Sequence, residues 1–201
     1  SDRADRRRDA PHGGRLRVAD VVDAVVEQAD GVTTVVSDVT TSTPPLLRDL
    51  PQTSPLDYFA TCSGSLGWGA GAALGVALGL PGRRVLSVLG DGVFQFGIQA
   101  LWSAARARLP VTFVVVNNES YAAVGAALHR RGGRAAHTGV YPGKDISGPR
   151  IDQISAGFGV LAVRVADHTG LRKAFRSARE QPGPFLIEAM TDPDDLGSPA
   201  A

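Results

Sequence analysis

The amino-acid sequence predicts a single doubly wound α/β domain, with a mostly parallel sheet and helices on both of its faces. Short continuous runs of valine and leucine alternate along the chain with segments of helical periodicity. Parallel strands buried on both faces have this continuous apolar character, and the connections between them are usually helices. The length of 201 residues is enough for one well-buried domain and too short for two large ones.

The first part of the chain contains two predicted helices and one predicted strand. Apolar residues at helical spacing predict a helix over 16–29, and the β-branched run at 32–37 predicts a strand. The Thr-, Ser- and Pro-rich segment 38–45 is typical of a loop. Residues 66–79 have many small and few β-branched side chains, which favours a closely packed helix that ends before a Pro-Gly pair.

The remainder of the chain continues the alternation of apolar strands and amphipathic helices, with no apparent internal repeat. The predicted elements, in order, are a strand at 85–89, a helix at 94–108, a strand at 111–116, a short helix from Ser120, a Gly-rich loop at 132–148, a helix at 151–157, a strand at 160–165, a helix at 168–180 and a strand at 184–189.

Both ends of the chain differ from the middle in composition. We expect residues 1–15 to be a disordered arm or linker, 16–191 the folded domain, and 192–201 a flexible tail. The arm is rich in arginine, but its interleaved aspartates and lack of aromatic residues disfavour a nucleic-acid-binding role. Cys62 is the only cysteine, and the sequence has neither a membrane-length apolar run nor a secretion-signal pattern. We therefore expect a cytoplasmic protein that does not contact a membrane.

Polar clusters follow two consecutive predicted strands. Gly90-Asp91-Gly92 follows the strand at 85–89, and Asn117-Asn118 follows the strand at 111–116. The 24 residues between the clusters are enough for one helix and one returning strand. A right-handed crossover makes the two strands parallel, so both clusters should emerge at the carboxyl edge of the sheet, where open α/β sheets bind ligands.

The chemistry of these clusters fits a metal-bound diphosphate. Asp91 and Asn118 offer carboxylate and amide oxygens, which Mg²⁺ and Ca²⁺ prefer as ligands. The free backbone N–H groups of Gly92 and Val93, at the start of the next helix, favour a phosphate group. Either cluster alone would be typical of an ordinary turn. The two clusters together, each at a strand end and one crossover apart, indicate a binding site. A general Mg²⁺-nucleotide domain is a weaker alternative, since no P-loop is present.

The segment from GDG to NN resembles the thiamin-diphosphate motif. It is similar to the diphosphate-binding (PP) domain of the benzoylformate decarboxylase and acetolactate synthase superfamily, and the similarity extends from about Val18 to Thr191. The stretch FGIQALWSAARARLPVTFVVVNN most resembles the benzoylformate decarboxylase branch. The resemblance implies thiamin diphosphate and Mg²⁺ as cofactors.

The resemblance also implies roles for individual residues. The metal would be coordinated by the side chains of Asp91 and Asn118 and by the backbone carbonyl of Ser120. The diphosphate would be bound by backbone N–H groups and by two hydroxyls. The residues that would supply these donors are Gly92, Val93, Tyr121 and Ala122 through the backbone, and Thr40 and Thr41 through their side chains.

Two further residues would contact the organic part of the cofactor. Gly64 matches a backbone contact to the aminopyrimidine ring, and Leu66 matches the large apolar residue that supports the bent conformation of the cofactor. Read without the family, Leu66 fits an ordinary core position better than a cofactor contact, and the two threonines fit ordinary turn hydroxyls equally well.

The family also needs a glutamate from a pyrimidine-binding (PYR) domain to activate the aminopyrimidine. The four glutamates of this chain are Glu27, Glu119, Glu180 and Glu188, and none has a PYR-type sequence context. We therefore assign no catalytic residue within this chain and expect a partner PYR subunit to supply that glutamate.

The resulting expectation is the PP subunit of a split enzyme, a lyase or transferase, in a hetero-oligomer such as α₂β₂. It would decarboxylate a 2-oxo acid, or ligate the product to an acceptor. Two alternatives stay open, a non-catalytic cofactor-binding or assembly module, and the C-terminal piece of a longer decarboxylase or acetolactate synthase-like enzyme.

Overall fold

Six parallel strands form the central sheet of the computed structural model, which describes residues 14–195. The strand order is β2-β1-β3-β4-β6-β5, and every strand pairing in this part of the chain is parallel. The predicted α/β fold class is thereby confirmed. The strands are β1 Thr33–Asp38, β2 Tyr58–Ala60, β3 Arg84–Gly90, β4 Val111–Asn117, β5 Leu161–Val165 and β6 Phe185–Met190.

Helices cover both faces of this sheet, so most residues of β1, β3, β4 and β6 are buried. In β4, Val114 and Val116 face one core with the helices at 18–28 and 168–180, while Phe113 and Val115 face the other with the helices at 69–79 and 100–107. The helices are α1 Val18–Gln28, α2 Thr43–Asp49, α3 Gly69–Gly79, α4 Asp91–Phe94, α5 Ala100–Ala107, α6 Ala122–Arg131, α7 Arg134–Thr138, α8 Ile151–Gly157 and α9 His168–Glu180.

The predicted helix over 94–108 is wrong in its bounds, because this segment contains parts of two helices. Helix α4 already begins at Asp91, and the segment 95–99 separates it from α5. Gly97 lies in this break, and a Cβ atom there would be 3.1 Å from the carbonyl oxygen of Gly67 and 3.3 Å from Cβ of Ala70. The chain therefore leaves the helical path where its backbone approaches the start of α3.

Three short elements were also missed. Helix α2 begins at Thr43, inside the predicted loop 38–45. The two prolines after Thr43 are compatible with the first turn of a helix, because the backbone N–H groups of that turn have no partner within the helix. The predicted loop 132–148 contains the five-residue helix α7. Strand β2 has only three residues and lies at the edge of the sheet, so it has no apolar run to reveal it.

The two ends of the folded segment meet beyond the carboxyl end of β6. Leu16 forms a parallel bridge with Thr191, and the Val18 N–H donates to the Asp195 carboxylate at 2.7 Å. Residues 1–13 of the predicted arm and 196–201 of the predicted tail lie outside the described residues. Within 14–195, no helix is both long enough and apolar enough to cross a membrane.

Candidate functional site

The two polar clusters lie side by side at the carboxyl edge of the sheet. Strands β3 and β4 are paired in parallel with Gly90 opposite Val116, so Asp91 and Asn118 both follow strand ends that adjoin. Both side chains are buried, with 6% and 8% of the residue surface exposed. The helix and strand between the two clusters therefore bring together two oxygen donors that are 27 positions apart in the sequence.

Asp91 has an unused acceptor in this buried position. One carboxylate oxygen, Oδ1, accepts from the Gly92 N–H at 2.8 Å, whereas Oδ2 is buried without a hydrogen-bond partner among the described residues. Burial raises the pKa of the Asp91 carboxyl, and the nearby backbone amides of Gly92, Glu119 and Ser120 oppose that shift. A buried carboxylate oxygen without a donor fits a bound cation, because a cation would restore the lost solvation.

The turn after β4 has a tight, hydrogen-bonded geometry. The Asn117 Oδ1 atom accepts from the Glu119 N–H at 3.0 Å, and the Asn118 Oδ1 atom accepts from the Ser120 N–H at 3.1 Å. Glu119 adopts a left-handed conformation with φ of 56°, which costs a residue with a Cβ about 1–2 kcal/mol. The turn is therefore held by its asparagine side chains in a shape that its sequence does not favour locally.

A cleft opens at this edge and is lined by nearly all of the predicted cofactor residues. Leu66 is 48% exposed, so it is a wall of this cleft and not the ordinary core leucine that it resembles in sequence. Gly64 lies outside the cleft wall, in the exposed loop that leads to Leu66. The predicted residues that line the cleft are Thr40, Thr41, Leu66, Asp91, Gly92, Val93, Asn118, Ser120, Tyr121 and Ala122.

The donor set of the cleft suits Mg²⁺ bound together with a phosphate. Within 14–195, no three His, Cys, Asp or Glu side chains cluster as a metal site. Mg²⁺, however, is commonly held by one or two carboxylates together with phosphate oxygens. Asp91 could supply the carboxylate, Asn118 an amide oxygen and Ser120 a carbonyl oxygen, and the phosphate oxygens would complete the coordination.

The second glycine of the GDG cluster packs against an aromatic ring. A Cβ atom on Gly92 would overlap Tyr121 Cε1 and would lie 3.0 Å from Tyr121 Cδ1. The first glycine, Gly90, has room, because its Cβ would meet only Val93 at an ordinary 3.7 Å. The close approach of the backbone to Tyr121 explains why the position after Asp91 requires glycine.

Gly92→Ala should therefore displace the Tyr121 ring and weaken cofactor binding, because both residues line the cleft. Gly90→Ala, which adds the same methyl group to the same cluster, should leave the ring in place. The position of Tyr121 can be followed by its aromatic NMR signals in both variants. An unshifted Tyr121 signal in Gly92→Ala would contradict this reading of the packing.

Asp38 is a site residue that the sequence prediction missed. Its Oδ2 atom accepts from the backbone N–H groups of Gly67 and Gly69, each at 2.9 Å, and its side chain is buried. These two bonds hold the segment that presents Leu66 to the cleft. The sequence shows only an aspartate directly after the predicted strand at 32–37. The two N–H groups that donate to it are 29 and 31 positions away, so no local pattern reveals its role.

A parallel sheet with a cleft at its carboxyl edge, lined by buried side-chain oxygens, is typical of a cofactor-binding α/β domain. The family model described as "Thiamine pyrophosphate enzyme, C-terminal TPP binding domain" matches residues 38–189. The chain therefore belongs to this family, in which thiamin diphosphate is the cofactor, as the GDG-to-NN resemblance implied.

Several named proteins are similar to this chain. Benzoylformate decarboxylase of Pseudomonas aeruginosa is 33% identical over 90% of this chain and 34% of the relative. A Mycobacterium tuberculosis protein provisionally named acetolactate synthase large subunit IlvX is 35% identical over 87% of this chain and 34% of the relative. The solved thiamine diphosphate-dependent 4-hydroxybenzoylformate decarboxylase of Rhodococcus jostii RHA1 superposes with a TM-score of 0.83 and 31% identity, covering 92% of this chain and 34% of that one. The chain thus spans about a third of the length of these relatives.

Proposed function

We propose that this chain is the PP half of a thiamin diphosphate- and Mg²⁺-dependent enzyme that acts on a 2-oxo acid. The reaction would be decarboxylation, ligation of the decarboxylated fragment to an acceptor, or both. Relatives named as decarboxylases and as acetolactate synthases both support this range of reactions.

The observation that carries the proposal is the buried Oδ2 atom of Asp91, which has no hydrogen-bond partner among residues 14–195 and lies in the same cleft as Asn118 and the proposed diphosphate-binding residues. A buried carboxylate oxygen without a partner destabilises a fold unless a cation binds it. Ser120 Oγ is a second buried polar atom of this cleft that has no hydrogen-bond partner in the described part of the chain. A diphosphate-bound Mg²⁺ would supply the missing partner of the Asp91 carboxylate and would offset part of the negative charge of the carboxylate and the diphosphate.

The residues that line the cleft would contribute to this function in different ways. Thiamin diphosphate supplies a cationic ring that accepts the electrons released with carbon dioxide. Thr40 and Thr41 would donate their hydroxyls to the diphosphate, and the backbone amide of Val93 would do the same. The predicted amides of Gly92 and Tyr121 are already used in this structure, since they donate to Asp91 Oδ1 and to the Lys144 carbonyl, each at 2.8 Å. Leu66 would support the bent cofactor and, with Phe96 and Val124, exclude water from the reacting end.

The activating carboxylate must come from outside the cleft that this chain forms. No glutamate of the described residues lines the cleft, since Glu27 and Glu180 are exposed on helices α1 and α9. Glu119 is paired with two arginines, and Glu188 is fully buried and hydrogen-bonded to Asn117. A PYR domain is the source we propose for that carboxylate, either as a separate subunit or as part of the same polypeptide.

Reconstitution tests this division of labour. The chain alone, with Mg²⁺ and thiamin diphosphate, should show no turnover of a panel of 2-oxo acids. Addition of a PYR protein that co-purifies with it should produce carbon dioxide release, measured in a coupled assay. Turnover by the chain alone would contradict the need for a partner, and inactivity of the pair across the panel would favour a non-catalytic module.

A further inference from the structure

A cluster of four charged side chains adjoins the turn 117–120 without lining the cofactor cleft. It consists of two acids and two arginines, Arg15, Glu119, Arg164 and Glu188, which we call the ionic cluster. Glu119 Oε2 lies 2.6 Å from Arg15 Nη2, and Glu119 Oε1 lies 3.3 Å from Arg164 Nη2. The Arg164 Nε atom is 3.9 Å from Glu188 Oε1.

The ionic cluster closes into a ring through the turn itself. The fully buried Glu188 accepts from Asn117 Nδ2 at 2.7 Å, and Asn117 Oδ1 accepts from the Glu119 N–H at 3.0 Å. The ring thereby joins β6, β5 and the end of β4. Asn118, the proposed metal ligand, lies between the two turn residues that the ring holds.

The partial burial of the cluster makes its contacts stronger than those of surface ion pairs. The side chains of Arg15, Glu119 and Arg164 are 32%, 20% and 25% exposed, and that of Glu188 is not exposed at all. Exposed pairs contribute little because water screens them, whereas pairs shielded to this extent are screened much less.

The left-handed backbone of Glu119 points to a role for its side chain. Glycine would adopt this φ more easily, so a residue with a long acidic side chain needs a compensating interaction. The two arginine contacts supply that interaction, and the Glu119 carbonyl is also fixed, accepting from the Ile146 N–H at 3.1 Å. The turn is therefore supported by contacts that Glu119 makes outside it as well as by its own asparagine side chains.

We propose that Glu119 and Arg164 are positioning residues, which hold Asn118 and the Ser120 carbonyl in the arrangement that binds the metal. This inference rests on the proposed function of the cleft. Neither residue touches the metal or the cofactor, and both act through the backbone of the turn. Loss of an outer-shell partner of this kind weakens metal binding by about 10–100-fold.

The variants for the test separate charge from backbone conformation. Glu119→Gln and Arg164→Gln remove one charge each, Glu119→Gly removes the side chain and relieves the left-handed backbone, and Arg164→Lys keeps the positive charge. Asp57→Asn is the matched control, because it breaks a partly buried ion pair with Arg83, 2.8 Å long, near the start of β2. That pair lies at the amino ends of β2 and β3, whereas the turn 117–120 lies at the carboxyl end of β4.

Two measurements on the full chain then test the inference. The first is amide hydrogen exchange at 118–121 without any ligand, and the second is Mn²⁺ binding with thiamin diphosphate, followed by electron paramagnetic resonance. In three variants, the amide hydrogens of the turn should exchange at least about tenfold faster and Mn²⁺ should bind about 10–100-fold more weakly. These variants are Glu119→Gln, Arg164→Gln and Glu119→Gly. Arg164→Lys should retain part of the protection from exchange and part of the Mn²⁺ affinity. Asp57→Asn should change neither the exchange rate of the turn nor the Mn²⁺ affinity.

Two results would overturn the inference, and a third concerns the proposed function alone. Wild-type exchange and Mn²⁺ affinity in Glu119→Gly would show that the ionic cluster is not needed. Equal losses in Asp57→Asn would show a general effect of stability. If the unaltered chain binds no Mn²⁺ with or without a PYR partner, the proposed function fails, and unchanged exchange in the variants would then overturn the positioning role separately.

Discussion

Asp91→Ala should abolish Mg²⁺-dependent binding of thiamin diphosphate while the fold survives. Asp91 would supply the single carboxylate of the metal site, and its Oδ2 atom has no other partner among the described residues. Because loss of even an outer-shell partner weakens metal binding by about 10–100-fold, loss of this ligand should weaken it by at least about 100-fold. Titration calorimetry with and without Mg²⁺ measures the effect directly.

The same substitution site distinguishes a functional from a structural aspartate. Without metal, Asp91→Asn should have a free energy of unfolding no lower than that of the unaltered chain. The substitution removes a carboxyl group whose pKa is raised by burial, and with it the cost of a buried charge. Asp38→Asn, one strand away, should lower the free energy of unfolding, because Asp38 accepts two backbone N–H bonds. Chemical denaturation of both variants is the comparison. Unchanged cofactor affinity in Asp91→Ala would refute the assignment of this residue as a metal ligand.

Gly69→Ala should destabilise the domain by about 1–3 kcal/mol, the usual range for an overpacked core. A Cβ atom on Gly69 would overlap Cβ of Asp38 and lie 2.9 Å from Leu89 Cδ2, and neither atom can move far within the buried core. The added methyl group should also displace Asp38, so cofactor affinity should fall together with stability. Urea denaturation and calorimetry measure the two losses.

Gly75→Ala on the same helix is the matched control, with an effect of opposite sign. A Cβ atom at Gly75 would meet nothing within 4 Å, so alanine there should stabilise the helix by about 0.5–1 kcal/mol. If both variants changed stability in the same direction, the close packing of Gly69 against Asp38 would not be the cause.

The sequence predicted those features of the site that depend on local pattern and crossover geometry. Asp91 and Asn118 meet because two apolar strands and one helical connection leave little choice of topology. The helix boundary at 95–99 could not be predicted, since it depends on the approach of Gly97 to Gly67. That approach belongs to tertiary packing and has no signal in the local periodicity.

The contacts that shape the site over long sequence distances were also beyond prediction. Glu119 meets Arg15 and Arg164, which are 104 and 45 positions away, and only the folded sheet brings them together. In sequence, Glu119 is one of four glutamates without a PYR-type context, and nothing local reveals its left-handed backbone. The contacts that suggest a positioning role for Glu119 are visible only when Arg15 and Arg164 lie beside it in the fold.

The bridge between Leu16 and Thr191 has a consequence for how a partner domain could be attached. Both residues lie at the sheet edge that carries Asn117, because the Thr191 N–H donates to the Asn117 carbonyl at 2.8 Å. A domain tethered through either end of the folded segment would therefore start beside the cofactor cleft. Short flexible tethers produce effective concentrations in the millimolar range. Covalent fusion and free association of a PYR domain would then differ mainly in that local concentration, and the same docked geometry would serve both.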